Sequence, residues 1–262
     1  MKAIILAAGR GSRLHPYTES APKCLTEIAG RSLIDRQIAT LRHAGVTDII
    51  IATGYLADQL ELPGTQQVHN PDWATTNMVE TLFVADADFG DDLIVTYSDI
   101  VYEPRVIEAL LQSDRDVSVI VDRQWHQYWE ARFDDPLSDA ESLKLNADLE
   151  ILDIGNKVDD INEIEAQYIG LMRFQGNGVA QLRNARQRFF TEHRSWMDNR
   201  PVQKAYMTDL LSELILMGHT VHAVPVDNGW LEFDTVDDYE RFGGNIDQAA
   251  VSKFFDPTTS PN

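Results

Sequence analysis

Cysteine is nearly missing from this chain. Cys24 stands alone among 262 residues, which excludes an internal disulfide framework and a thiolate metal cluster. Basic residues are scarce too, with 22 Lys and Arg against 42 Asp and Glu, for a net charge of -20. A field of that sign argues against nucleic acid and against anionic membrane surfaces as partners. No apolar run approaches the ~20 residues that span a bilayer. The short apolar run near the N-terminus has no basic leader and no small-residue cleavage site, so it is not expected to be a secretion signal. Repeats and low-complexity tracts are lacking. Six of the seven histidines (His43, His69, His126, His193, His219 and His222) fall into no HExxH or other ligand spacing, which leaves them surface or core roles. What remains, 44% apolar and 24% charged residues, describes a globular chain, expected in the cytoplasm and long enough for one α/β domain.

Against that acidic background one stretch is basic. Ala3 to Ala8 is an apolar run that breaks into Gly9-Arg10-Gly11-Ser12-Arg13-Leu14 and continues to Pro22-Lys23. Four of the first 23 residues are cations (Lys2, Arg10, Arg13, Lys23), and one, Glu19, is acidic. The run reads as a buried parallel strand, and open α/β sheets bind ligands at the C-terminal ends of such strands. Gly9 and Gly11 let the backbone turn its N–H groups toward an anion. With the charges of Arg13 and Lys23 added, the combination suits a polyphosphate. Two known glycine loops are excluded. A single residue separates the glycines where a P-loop has four, and Leu14 stands where the dinucleotide fingerprint has its third glycine or alanine.

Ser32 is read as the cap of a helix whose apolar face carries Ile34, Ile38 and Leu41 and which stops at Gly45. Residues 48–53 and 93–97 are further buried strands, ending in Gly54-Tyr55 and Ser98-Asp99. Helices are expected over 79–87, 105–111, 178–194 and 206–217. Strands are expected over 117–121 and 220–226, with 149–154 and 168–174 paired to each other. Strand, loop, helix and strand in alternation predict βαβ units, hence a Rossmann-like three-layer α/β/α fold with a mixed, mostly parallel sheet. Residues 256–262 are expected to be an unstructured tail.

Three further groupings carry chemistry. Asp99 leaves the end of a central strand, where a nucleotide-bound metal would be met. In the polar loop 70–78, Thr75 or Thr76 can cap a helix, and Asn77 offers the donor and acceptor that reading a base edge requires. Trp125, Tyr128 and Trp129 lie beside Arg132 and Glu141 on an inserted segment. Rings and carboxylates together suit an ammonium group, and the same rings can also pack the insertion onto the sheet. In residues 230–235, period-2 alternation sets Glu232 and Asp234 on one face, two carboxylates that need a cation between them.

Leu6-Ala7-Ala8-Gly9-x-Gly11-x-Arg13-Leu14, then Pro16 and Thr18, then Pro22-Lys23, closely resembles the signature of nucleotidyltransferases that couple an NTP to a phosphorylated metabolite. Trp230-x-Glu232-x-Asp234-Thr235 resembles the late metal motif of the phosphocholine-type cytidylyltransferases, and the loop around Asn77 is similar to one that lies against their pyrimidine. The resemblance implies Mg²⁺-dependent attack of an acceptor phosphate on the NTP α-phosphorus, with pyrophosphate leaving. Arg13 would hold the β- and γ-phosphates, and Lys23 would neutralise charge growing on the α-phosphate. Leu6, Ala7, Ala8, Gly9, Gly11, Gly54, Tyr55, Thr76, Asn77 and Ser98 would bind the nucleotide; Ser98 stands where that family usually has glycine. Asp99, Glu232 and Asp234 would hold Mg²⁺, an oxygen-only set unsuited to zinc.

The acceptor would meet Asp122, Trp125, Trp129, Arg132, Glu141, Lys157, Tyr168 and Trp230, in an inserted region near 122–170 of one domain over 1–255. Lys157 matches the lysine with which sugar-type relatives hold the acceptor phosphate, and Glu165 and Gln167 are placed near the same pocket. The implied partners are CTP and a small phosphorylated or phosphonylated amine or amino acid, of the phosphocholine, 2-aminoethylphosphonate or phosphoglutamine type; homo-oligomerisation is left open. Two rivals stand beside this reading. A sugar-1-phosphate nucleotidyltransferase using UTP or dTTP would favour hydroxyl-binding groups over the ring cluster. A catalytically silent nucleotide-binding module would be expected to lack Lys23 or a metal acid.

Overall fold

A computed structural model describes residues 1–192, 200–243, 251–259 and 261. Seven strands form the central sheet: β1 (Lys2–Ala7), β2 (Asp48–Thr53), β3 (Gln66–His69), β4 (Asp92–Tyr97), β5 (Val117–Asp122), β6 (Gln167–Gln175) and β7 (His222–Val226). Their order is β7-β5-β6-β4-β1-β2-β3. All neighbours are parallel except β6, which runs antiparallel to both β4 and β5. The mixed, mostly parallel sheet with helices on both faces is the architecture expected from the sequence.

Strand alternation builds the two cores. From β1, Ala3, Ile5 and Ala7 face one side and pack with Leu33, Ile34 and Leu41 of α1 (Leu33–His43) and Val106, Ile107 and Leu110 of α3 (Pro104–Gln112). Ile4 and Leu6 face the other, against Val79 and Leu82 of α2 (Met78–Phe83), Leu182 of α4 (Gly178–Thr191) and Leu210 and Leu214 of α5 (Met207–Leu216). Each such fully buried Leu or Ile contributes roughly 1.5–3 kcal/mol. Local signals set the helix ends. Ser32 Oγ accepts from Asp35 N–H at 3.1 Å to open α1, and Pro104 occupies the first turn of α3.

Several expectations are corrected. Residues 149–154 and 168–174 do not pair. Ile151–Ile154 joins Leu143–Leu145 in a local antiparallel ribbon, while β6 is buried on both sides and enters the main sheet between β4 and β5. The strand at 66–69 was missed, since it lies at the sheet edge with the polar sequence QQVH. The helix from 79 is shorter than expected, giving way to a 3₁₀ turn at Asp86–Asp88. The expected tail is ordered at its start, where Asp256 N–H donates to Glu103 Oε1 at 2.9 Å and Pro257–Thr259 form a 3₁₀ turn. Residues 193, 194, 260 and 262 of the expected helix end and tail lie outside the described residues.

Candidate active site

β1 has β2 on one side and β4 on the other, and open sheets bind ligands at the crevice where strand order reverses in this way. The loop after β1 and the loop after β4 face each other there. Leu6, Ala8, Gly9, Gly11, Ser12, Arg13 and Lys23 line a cavity of ≈ 230 Å³ together with Tyr97, Ser98 and Asp99, with Trp73, Thr76, Asn77, Met78 and Thr81 from the loop before α2 and its first turns, and with Asp234.

The glycine loop is held tightly. Gly11 has φ of +66°, and a Cβ there would lie 2.8 Å from Lys23 Cβ, so the loop closes onto the lysine stem. Thr18 Oγ1 donates to Gly11 O at 2.9 Å. Where Gly9 would carry a Cβ there is open space within 4 Å. Gly54 and Tyr55, expected against the nucleotide, instead buttress this loop from behind. A Cβ on Gly54 would fall 2.6 Å from Ala8 O, and Tyr55 N–H donates to that same oxygen at 2.9 Å. Ala7 points into the core on the α1 side and does not line the cavity.

Charge converges at the cavity floor. Ile100–Tyr102 pairs antiparallel with Trp230–Glu232, and Phe233 N–H donates to Asp99 O at 2.9 Å, which sets Asp99 beside Asp234. Lys23 Nζ donates to Asp99 Oδ2 at 2.7 Å and to Asp234 Oδ1 at 2.6 Å. Arg13 Nη1 lies 2.8 Å from Asp234 Oδ2. Burial works against the Lys23 ammonium, but the two carboxylates outweigh it and hold its pKa up at about 12. Asp99 Oδ1 is buried without a hydrogen-bond partner.

Glu232 is engaged elsewhere, which corrects the expected three-acid metal set. Buried Arg132 donates to Glu232 Oε2 at 2.6 Å and forks onto Asp238 at 2.8 and 3.1 Å. Thr235 and Asp238 form a reciprocal capping box that fixes this fork. Burial pushes the Glu232 carboxyl upward; Arg132 opposes this, and Asp234 and Asp99 add repulsion. The cation that two neighbouring carboxylates require is therefore a side chain in each case, Arg132 for Glu232 and Lys23 for Asp234. Among the described residues, no group of three or more His, Cys, Asp or Glu is arranged to hold a metal ion.

Asn77 lines the cavity but caps α2, its Oδ1 accepting from Met78 N–H at 3.0 Å while Nδ2 donates to Lys204 O at 3.3 Å. Thr76 is held by Asn70 and Asp72. Trp73, Met78, Thr81 and Tyr97 also line the cavity and were not singled out in the sequence.

A second cavity of ≈ 710 Å³ adjoins the first, with Arg13, Met78, Tyr97 and Asp234 on the walls of both. Of the residues read from the sequence as meeting the acceptor, Trp129, Glu141, Lys157, Tyr168, Trp230 and Gln167 line it, and so does Glu232, which was expected at the metal. Four other candidates do not line it. Asp122 is fully buried and accepts from Trp230 Nε1 at 2.9 Å and from two backbone N–H groups, so it positions Trp230. Trp125 packs edge-on against Trp129 in the core. Arg132 lies beneath the rings, its guanidinium 5.2 Å from the Trp129 centroid. Glu165 instead accepts from Leu145 N–H. Asp139, Arg200, Tyr206 and Thr208 are further wall residues. Asp139 accepts from Trp129 Nε1 at 3.2 Å. Burial, with repulsion from Asp139 and Asp209, lifts the Glu141 carboxyl to about 7 despite Arg200.

Comparison with known proteins agrees with this fold. Residues 3–150 match the family model described as MobA-like NTP transferase domain. The chain is 37% identical over 252 residues to the CTP:phosphoglutamine cytidylyltransferase of Campylobacter jejuni, covering 92% of this chain and 98% of that protein. It is 39% identical over 99 residues to a choline-phosphate cytidylyltransferase of Streptococcus pneumoniae, covering 36% of this chain and 43% of that protein. The solved CTP:phosphocholine cytidylyltransferase from Streptococcus pneumoniae superposes with a TM-score of 0.69 at 22% identity, over 91% of this chain and 96% of that one, a likeness of fold. No described helix is long and apolar enough to cross a membrane.

Proposed function

Because this chain belongs to the MobA-like NTP transferase family, we propose that it is a CTP-dependent cytidylyltransferase acting on a small phosphorylated or phosphonylated amine or amino acid. The observation that carries this reading is the continuity of the two cavities across Arg13 and Asp234. A nucleotide on the glycine loop presents its α-phosphate at Lys23, and an acceptor among acids and rings reaches it from the other side. An acceptor phosphate oxygen attacks the α-phosphorus, the bond to the β-bridging oxygen breaks, and pyrophosphate leaves with that electron pair. Lys23 offsets the charge that grows on the α-phosphate, and Arg13 holds the leaving phosphates; such transfers are catalysed mostly by positioning and electrostatics.

Asp99 and Asp234 fit Mg²⁺. It is held by one or two carboxylates plus substrate phosphates, and Asp99 Oδ1 is a buried oxygen in want of a partner. Bound there, Mg²⁺ supplies charge neutralisation at the phosphates. Glu232 orients Arg132 instead. The proposed substrates, CTP and a phosphorylated metabolite, support a cytoplasmic location.

Pyrophosphate release is the test, with CTP, UTP, dTTP, ATP and GTP crossed against phosphocholine, 2-aminoethylphosphonate, phosphoglutamine and glucose-1-phosphate. Release with CTP and an amine acceptor is expected. Release with UTP or dTTP and glucose-1-phosphate overturns the acceptor assignment, and the rings then serve only as packing.

A further inference from the structure

The acceptor cavity carries an arginine and a carboxylate that act on each other across one wall. Arg200 is anchored by Asp209, Nη2 lying 3.2 and 3.3 Å from its two oxygens. Its guanidinium sits 4.2 Å from the centroid of the Tyr206 ring. Two contacts therefore fix the plane of the fork, while Nε is buried with no hydrogen-bond partner. Glu141 is fixed as firmly from its backbone. Its N–H donates to Gln167 Oε1 at 3.2 Å, and Gln167 Nε2 donates back to Glu141 O. Among the described residues, no donor hydrogen-bonds the Glu141 carboxylate. Asp139 lies on the same wall and adds to the negative charge around Glu141.

A wall made only of acids and rings would suit any amine. An oriented guanidinium beside the acid adds a site for an anion, since a planar fork recognises a carboxylate where a point charge does not. We propose that Arg200 and Glu141 form a two-point clamp for a zwitterion, Glu141 meeting an ammonium and Arg200 the carboxylate next to it. The acceptor is then a phosphorylated amino acid, chosen over amines that lack a carboxylate. This rests on the cytidylyltransferase reading above. Arg200 is assigned to acceptor selection and has no part in the transfer step.

Matched pairs of acceptors test the clamp: O-phosphoserine against O-phosphoethanolamine, and phosphoglutamine against its decarboxylated analogue, each with CTP and Mg²⁺. Within a pair the wild-type protein is expected to favour the carboxylate-bearing member by about tenfold or more in kcat/KM, the scale of one charge-assisted contact. Arg200→Met removes that preference by raising KM for the carboxylate-bearing member, and leaves KM for the other unchanged. Glu141→Gln weakens both members alike, because both carry the ammonium. Arg200→Lys, which keeps the charge beside Asp209, covers the case in which Arg200→Met does not fold, and it lowers the preference without abolishing turnover. CTP-dependent turnover with no preference in either pair, or equal weakening of both members by the Arg200 variants, overturns the clamp. Absence of pyrophosphate release with every acceptor and CTP overturns the cytidylyltransferase reading itself.

Discussion

Replacing Lys23 by Met should make the folded protein depend on Mg²⁺. Its ammonium lies within 2.7 Å of both Asp99 and Asp234 and is nearly inaccessible. The two acids raise its pKa from 10.5 to about 12, which corresponds to about 2 kcal/mol of net stabilisation. A pKa raised on folding gives stability that is fully present below 10.5 and is lost as pH rises through about 12. At neutral pH all of it is present. Lys23→Met removes that contribution, leaves Asp99 without a counter-ion and Asp234 with Arg13 alone, and breaking such a buried pair costs roughly 3–5 kcal/mol. A divalent cation can take the place of the ammonium, and ligand at 100 times its Kd restores about 2.7 kcal/mol. The assay is urea denaturation of wild type and Lys23→Met with and without MgCl₂. The variant is expected to regain most of its loss with Mg²⁺, while the wild type without nucleotide barely responds. kcat of the variant should fall by about 10²–10³ with little change in KM for CTP. A variant as stable as wild type, or one indifferent to Mg²⁺, refutes the reasoning.

Four other substitutions follow from the same geometry. Glu141→Gln should raise stability at pH 8 by up to roughly 3 kcal/mol. The Glu141 pKa rises from 4.5 to about 7 on folding, so wild-type stability falls as pH climbs through that window, and denaturation midpoints at pH 5 and pH 8 read the difference. Arg132→Met should cost about 3–5 kcal/mol in chemical denaturation, because Glu232 and Asp238 lose their shared partner. Gly9→Ala meets open space and should keep the wild-type melting temperature while raising KM for CTP. Gly11→Ala, strained at φ +66° and against Lys23, should lower the melting temperature as well.

The sheet was largely legible because buried parallel strands are written as unbroken apolar runs, as in Ile49 to Ala52 or Leu93 to Val95. Gln66–His69 escaped because an edge strand has no such pattern. The partner of Ile151–Ile154 escaped because pairing is decided by tertiary neighbours and not by the segment itself. At the site, spacing pointed to Lys23, Asp99 and Asp234, which the fold brings within hydrogen-bond reach. It could not show that Arg132 would claim Glu232, since that contact joins residues 100 positions apart. Asp122, Trp125 and Arg132 have the chemistry of a pocket but are buried. Arg200 left no local signal at all.

The central claim is that the two cavities join CTP to an amine-bearing phosphate, and ³¹P NMR of the reaction tests it most directly. With CTP, Mg²⁺ and phosphoglutamine or phosphocholine, the account predicts free pyrophosphate together with a pair of coupled resonances from a new cytidine diphosphate linkage. CTP that stays intact with every amine acceptor, or pyrophosphate accompanied only by CMP, would contradict it.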